Sequence, residues 1–246
     1  MPVRYSRIAA LIILLVLVIT GVDQVASAVG APAALSDFLT TFVMAGLVAT
    51  WSAWGPWLAP YLITCSRRDT SGEIARCTAL LRDAGVRQVP GFLIVDSPTL
   101  VATAMGTGRG LIIVSSTLLS AADDGRLRAI LLHELGHIEG GHMIATGGVL
   151  AAWFMVKLLF PADLVWTCVF FAFYLALLRR NEFDADRRAA RRVGGPAIVV
   201  ALEWVHEKLD APAWTEQRWL SMFSTHPTLA DRTRQLLRRV PAGKAA

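Results

Sequence analysis

The sequence is poor in charge. Asp, Glu, Lys and Arg make up only 17% of its 246 residues against 54% hydrophobic ones, which is too apolar for an ordinary soluble domain. Cysteine is scarce as well. Cys65, Cys77 and Cys168 have no metal-ligand spacing and leave an odd thiol, which fits a reducing compartment and gives them no role. Internal repeats and low-complexity linkers are lacking. A nucleic-acid motif is lacking too, so the net charge of +5 and pI near 9.6 do not point to DNA or RNA. The arginines are spread along the polar segments, where membrane topology and anionic lipid account for them better.

What is present is apolar sequence in runs: residues 8–22, 38–64, 144–160 and 164–178. A membrane span takes about 20 apolar residues, and the last two runs fall short of that. They still cross if their helices begin before the apolar stretch and end after it. The competing reading of this pair is a buried core hairpin, and Lys157 fits either one. The first run also has a competitor. Arg4, Arg7, the apolar stretch and Ala26-Ser27-Ala28 resemble a cleavable signal peptide, although the second run would still anchor the chain.

Basic residues set the orientation, because short loops rich in Lys and Arg stay in the cytoplasm. Arg4 and Arg7 precede the first run, whereas Asp23 and Asp37, without Lys or Arg, follow it. Arg67 and Arg68 follow the second run. Pro161-Ala162-Asp163 joins the last two, and Arg179-Arg180 ends the fourth. Both termini and the large polar segments are therefore expected in the cytoplasm.

In the polar segments, residues 73–82 read as a short amphipathic helix stopped at Gly85. Residues 92–95 read as a strand between Pro90-Gly91 and Ser97-Pro98. Residues 101–105 and 111–115 flank a glycine-rich turn at 106–110, so a hairpin and a small sheet are expected. Asp123 and Asp124 offer caps to a helix through residues 129–139, closed by Gly140-Gly141. Further helices are expected at 181–192, 198–209 and 228–239.

His133-Glu134-Leu135-Gly136-His137 places two imidazoles four positions apart, about one helical turn, so both face one way. Two metal ligands converge. Glu134 is placed to take a proton from the water that a metal activates, and three protein ligands leave a fourth position open. The third ligand is read as Glu182 in Asn181-Glu182-Phe183-Asp184-Ala185-Asp186. Glu182 and Asp186 share a face, so Asp186 is positioned to hold an imidazole from behind, while Asp184 points elsewhere. The plain alternative is a charged helix face paired with Arg187, Arg188, Arg191 and Arg192. His142 is the rival ligand. In the pattern HExxHxxGxxH, Gly140 is in register but the last His falls on Met143, so His142 reads as a surface or helix-end histidine.

From about residue 70 to 240 these motifs resemble the HtpX-type membrane metalloproteases, which are related to the CAAX prenyl endopeptidases. The resemblance implies that His133 and His137 hold zinc with Glu182, one ion per chain, that Glu134 is the base, and that Asp186 orients a ligand. Ser224-Thr225-His226-Pro227, with Arg232 six positions after the His, is similar to the family's late His-Pro segment. It implies that His226 and Arg232 are catalytic. One departure is Thr103-Ala104 in the edge strand, where the family usually carries Asn-Ala.

The expected fold is thus α+β and mostly helical, a multi-pass membrane protein with a gluzincin-like HExxH metallopeptidase domain and a small β-sheet. Residues 1–65 form an anchor of two helices, about 8–28 and 38–63; 66–143 carry the sheet and the HELGH helix; 144–178 form a membrane-embedded hairpin; 179–246 carry the third ligand and the His-Pro segment. The expected activity is zinc-dependent endopeptidase at the cytoplasmic face of a bacterial plasma membrane. Its expected partners are the lipid bilayer and polypeptide substrates, chiefly membrane proteins under quality control, with no nucleic acid. Two other readings are a sensor cutting one repressor and a non-catalytic scaffold with a zinc site. A sensor is expected to carry a ligand-binding domain, for which the chain to Ala246 leaves no room. Site-2-type intramembrane proteolysis lacks its later Asp-Gly motif.

Overall fold

Caps and glycines fix where each element begins and ends. The computed structural model describes residues 20–21, 24–25, 28–30, 32–62, 66–67, 72–159, 164–208 and 226–239. The helices are α1 (Ala33–Leu62), α2 (Glu73–Asp83), α3 (Ser116–Ala121), α4 (Asp124–Glu139), α5 (His142–Leu159), α6 (Leu164–Val193), α7 (Gly195–Lys208) and α8 (Leu229–Arg239). The strands are β1 (Ser66–Arg67), β2 (Gly91–Val95), β3 (Ala102–Met105) and β4 (Leu111–Ser115). Most of the first apolar run, the loop 161–163, Ser224 and Thr225 lie outside the described residues.

The chain divides into two compact units. One comprises Met1–Cys65 with Ile144–Tyr174, the other Ser66–Met143 with Leu175–Ala246. In the second unit the sheet order is β1-β2-β4-β3. β2 runs parallel to β4 from Gly91 opposite Leu111 to Val95 opposite Ser115, and β3 returns antiparallel with Ala102 opposite Val114. β4 is central and buried throughout, as its run Leu-Ile-Ile-Val-Ser predicts. β3 is an edge. Its hairpin with β4 is the expected one, and Gly106, Gly108 and Gly110 supply the positive φ the turn needs.

Asp123 caps α4: its Oδ1 accepts from Arg126 N at 2.8 Å. Leu127, Leu131, Leu135 and Ile138 follow at helical spacing and are buried with Leu81, Ile112 and Ile198. Each such side chain contributes about 1.5–3 kcal/mol of transfer free energy. That stripe fixes the rotation of α4, and the metal motif lies on another stripe. Two elements escaped the sequence reading. β1 is two residues long and has no periodicity to read, and α3 is announced only by Ser115, whose Oγ accepts from Leu118 N at 3.1 Å.

Two expected segments, 164–178 and 181–192, are one helix, α6. No Gly or Pro separates them, so the backbone ladder continues through Arg179-Arg180 until Gly194, at φ 86°, ends it. Among the described residues α6 is the one helix long and apolar enough to cross a membrane; Asp37–Thr50 and His142–Lys157 are shorter apolar stretches. In the first unit, Trp153 of α5 stacks on Phe170 of α6 with ring centroids 4.3 Å apart. Leu164, Val165, Trp166, Val169, Phe171 and Phe173 are exposed.

Candidate metal centre

Backbone proximity brings the two halves of the site together. A Cβ on Gly136 would lie 2.9 Å from both Cα and O of Ala185, so only glycine lets α4 approach α6 this closely. His133 and His137 flank Gly136 on α4, and Glu182 and Asp186 flank Ala185 on α6. The close approach therefore faces the imidazoles with the carboxylates.

Nε2 of His133 and Nε2 of His137 are 3.2 Å apart. Glu182 Oε2 lies 3.6 Å from the first and Oε1 3.5 Å from the second. Each of the three residues offers one donor atom within 4.8 Å of the others. The edges of a tetrahedron around zinc, with bonds of roughly 2.0–2.1 Å, are about 3.4 Å long, so this triangle fits such an ion. Nitrogen and carboxylate donors also suit it chemically.

Behind the donors, the other ring nitrogens are held. Asp186 Oδ1 lies 2.9 Å from His133 Nδ1. Asp186 is itself gripped by Arg232, whose Nε and Nη2 donate to its two oxygens at 2.7 and 2.6 Å. Burial alone would push the His133 imidazolium down, but hydrogen bonds to Asp186 and Glu182 outweigh it and hold it up at about 10. His137 goes the other way. Burial, then the neighbouring charge on His133, lowers it to about 3.

The structure also draws in the remaining sequence candidates. Burial raises the Glu134 carboxyl, against His133 and the Ala104 N–H of edge strand β3, which favour its charged form. His226 Nδ1 lies 3.3 Å from Glu182 Oε1, and its side chain is 66% exposed, so most of the ring stays accessible. The hydrogen bond to Glu182 raises its pKa. Arg232 is buried against Asp186 and also lies 3.4 Å from Glu182 Oε2. Its guanidinium is engaged by the carboxylates of Asp186 and Glu182.

His142 departs from the sequence reading. It does begin a helix, α5, but it is 7% exposed and not on the surface. Its Nδ1 is 3.0 Å from His137 Nδ1 and its Nε2 is 3.3 Å from Asp184 Oδ2. The sequence did carry a signal, a histidine five positions after His137 across a Gly-Gly break. Matching it to a ligand pattern one residue too long hid its position behind the site. Asp184 does point away from the three donors, toward His142, Arg187 and Arg188.

These features define a metallopeptidase-type site: a His-Glu-x-x-His helix, a carboxylate that faces it from a second helix and the sheet edge β3 beside it. The family described as Peptidase family M48 matches residues 72–240, and the chain belongs to it. It is a metallopeptidase of the HtpX-like kind. A protein named Protease HtpX homolog from Bacillus velezensis is 30% identical over 202 residues, covering 66% of this chain and 68% of its own. Another from Bacillus subtilis is 29% identical over the same length, and Protease HtpX of Pseudomonas fluorescens is 25% identical. The crystal structure of S. mikatae Ste24p shares the fold, with a TM-score of 0.59 over 92% of this chain at 15% identity. The chain spans 62% of that structure's length.

Proposed function

We propose that this chain hydrolyses peptide bonds at the cytoplasmic face of a bacterial plasma membrane, using one zinc ion held by His133, His137 and Glu182. The observation that carries this reading is the triangle of donors within 4.8 Å, inside the segment that matches the family, with Glu134 beside it. Zinc, when bound, supplies a Lewis acid that acidifies water and draws negative charge onto a carbonyl oxygen. The protein supplies the rest. Glu134, its pKa raised by burial, removes the proton of the attacking water and returns it to the leaving amine. Asp186 keeps the His133 ring turned so that Nε2 faces inward, and Arg232 keeps Asp186 in place.

His226 acts on the tetrahedral oxygen. Its ring is accessible and the hydrogen bond to Glu182 favours its charged form, so it is placed to donate, and one donor aimed at a developing oxyanion contributes about 3–4 kcal/mol. An extended substrate pairs with the open edge of β3. The Ala104 N–H already turns outward to Glu134, so that edge runs past the base. Thr103, exposed, stands where the family usually has Asn, and a side-chain contact from that position is replaced by backbone pairing.

The apolar half of α6 supports membrane embedding, since a core helix would hide Trp166, Phe171 and Phe173. With α1 and α5 it makes up a multi-pass anchor, to which the first apolar run, most of it outside the described residues, adds a further hydrophobic stretch. The basic flanks Arg67, Arg68, Arg179 and Arg180 put the catalytic residues in the cytoplasm. Substrates are then membrane proteins or exposed unfolded segments, the substrates of a quality-control protease.

One set of variants tests this. Glu134→Gln should keep about one zinc per chain and lose cleavage of a denatured test polypeptide, whereas His133→Ala should lose the metal. His226→Ala should keep the metal and lower kcat roughly 100-fold with little change in KM. Metal lost from Glu134→Gln, or cleavage retained in it, would overturn the assignment. For orientation, a cysteine at Gly30 should label from outside intact cells and one at Arg239 should not; labelling at Arg239 reverses the topology.

A further inference from the structure

The two imidazoles of the site are braced differently, and only one brace is explained by the motifs already discussed. His133 has a carboxylate behind it, Asp186 at 2.9 Å. His137 has none. Behind its Nδ1 stands another imidazole, His142, at 3.0 Å, and behind that, 3.3 Å from Nε2, stands Asp184. Asp184 is anchored in turn by Arg187 and by Arg188, whose Nε donates at 2.6 Å.

We propose that His142 is a positioning residue for the metal site, relaying Asp184 to His137 so that His137 presents Nε2 to the metal. The inference rests on the reading of His137 as a ligand. When Nε2 of a neutral imidazole faces a metal, Nδ1 carries the hydrogen and needs an acceptor. His142 Nδ1 is that acceptor. Its own hydrogen is then on Nε2 and goes to Asp184, which fixes the tautomers of both rings in one direction.

The local chain is shaped around this ring. Gly141, at φ 62°, turns the chain from α4 into α5 and brings His142 back under His137. The corner is tied down on its other side, where Gly106 N–H donates to Met143 Sδ at 3.2 Å. Gly140 is the more telling residue. Its φ of −81° and ψ of −11° suit any amino acid, so conformation does not call for glycine. A Cβ there would lie 2.2 Å from His142 Nε2 and 2.7 Å from its Cδ2. Space for the imidazole is what that glycine provides.

Zinc competition against a chelator, on the full-length protein in detergent, tests the relay. His142→Ala should weaken zinc binding about 10- to 100-fold, the usual effect of removing an outer partner of a ligand. Gly140→Ala should do the same with His142 still present, because the new methyl displaces the ring. His142→Asn, whose side-chain oxygen sits near the Nδ1 position, should recover part of the loss. Melting temperatures of the metal-free forms should stay close to wild type, which a merely structural role for His142 would not allow. Unchanged zinc affinity in His142→Ala, or loss there without loss in Gly140→Ala, overturns the relay. If wild type binds no zinc, or His133→Ala binds it normally, the ligand reading itself fails instead.

Discussion

The two halves of α6 are built on opposite rules. Residues 164–178 show large apolar side chains to the outside, among them Trp166 at 63% and Phe173 at 58% exposure. Past Arg179-Arg180 the helix reverses the pattern, burying Asn181, Glu182 and Asp186 along with Ala185 and Ala189. Backbone geometry is the same in both. What differs is where each half finds its solvent. An exposed apolar half is stable only in a medium as apolar as itself, and a buried acidic half only where each charge has a partner.

The second half is the more sensitive to a single change. Asp186, 3% exposed, and Arg232, 12% exposed, form a two-bonded ion pair inside the protein. Removing one partner leaves the other charge buried, which costs about 3–5 kcal/mol. Arg232→Ala should therefore lower unfolding stability by that amount and also lose zinc, as Asp186 lets go of His133. Chemical denaturation and metal analysis read the two effects. Stability within 1 kcal/mol of wild type, roughly the ceiling for an exposed pair, would mean that the acidic half is not held as a buried network.

A charge in the first half should act differently. Asp in place of Phe171 costs about 3 kcal/mol if that position lies deep in a bilayer, and close to nothing if it faces water. Membrane-inserted protein should drop markedly for Phe171→Asp, while the zinc content of the molecules that do insert stays at one. Normal insertion of this variant, measured by alkaline extraction of membranes, would remove the contrast between the halves.

How much of this contrast was readable in advance differs from residue to residue. His133, Glu134 and His137 were legible because helical spacing alone puts the histidines on one face. That Glu182 and Asp186 share a face was legible through the same spacing on α6, although a plain charged face fits that spacing too and the family resemblance was needed to choose; the β3–β4 hairpin was legible through its glycines. The continuity of α6 was obscured by its change of composition at Arg179, which resembles an end but breaks no hydrogen bond. Gly136 gave no local sign of its role, since its contact is with Ala185, 49 positions away. His142 depended on the sharp turn at Gly141, and a turn sets the direction of a side chain in a way that periodicity does not record.

The smallest predicted effect concerns protons, and it separates the two histidines of the site instead of the two halves. In the metal-free protein His133 holds its proton up to about 10, whereas His137 is neutral above about 3. Zinc must displace the first proton and meets none on the second. Between pH 6 and 9 one proton should therefore leave His133 per zinc bound, and zinc affinity should rise about tenfold per pH unit, near 1.4 kcal/mol. Calorimetry in buffers of different ionisation enthalpy counts that proton. The same shift has a consequence for folding. Because the folded-state value lies above the unfolded one, near 6.5, protonated His133 stabilises the metal-free fold fully below pH 6.5, and this contribution is lost as the pH rises toward 10. The metal-free melting temperature should accordingly fall across that window while the zinc-loaded one does not. Asp186→Asn removes the negative charge that helps hold the proton, so both pH dependences should flatten in that variant; a wild-type slope of zero would mean that His133 is neutral before zinc arrives.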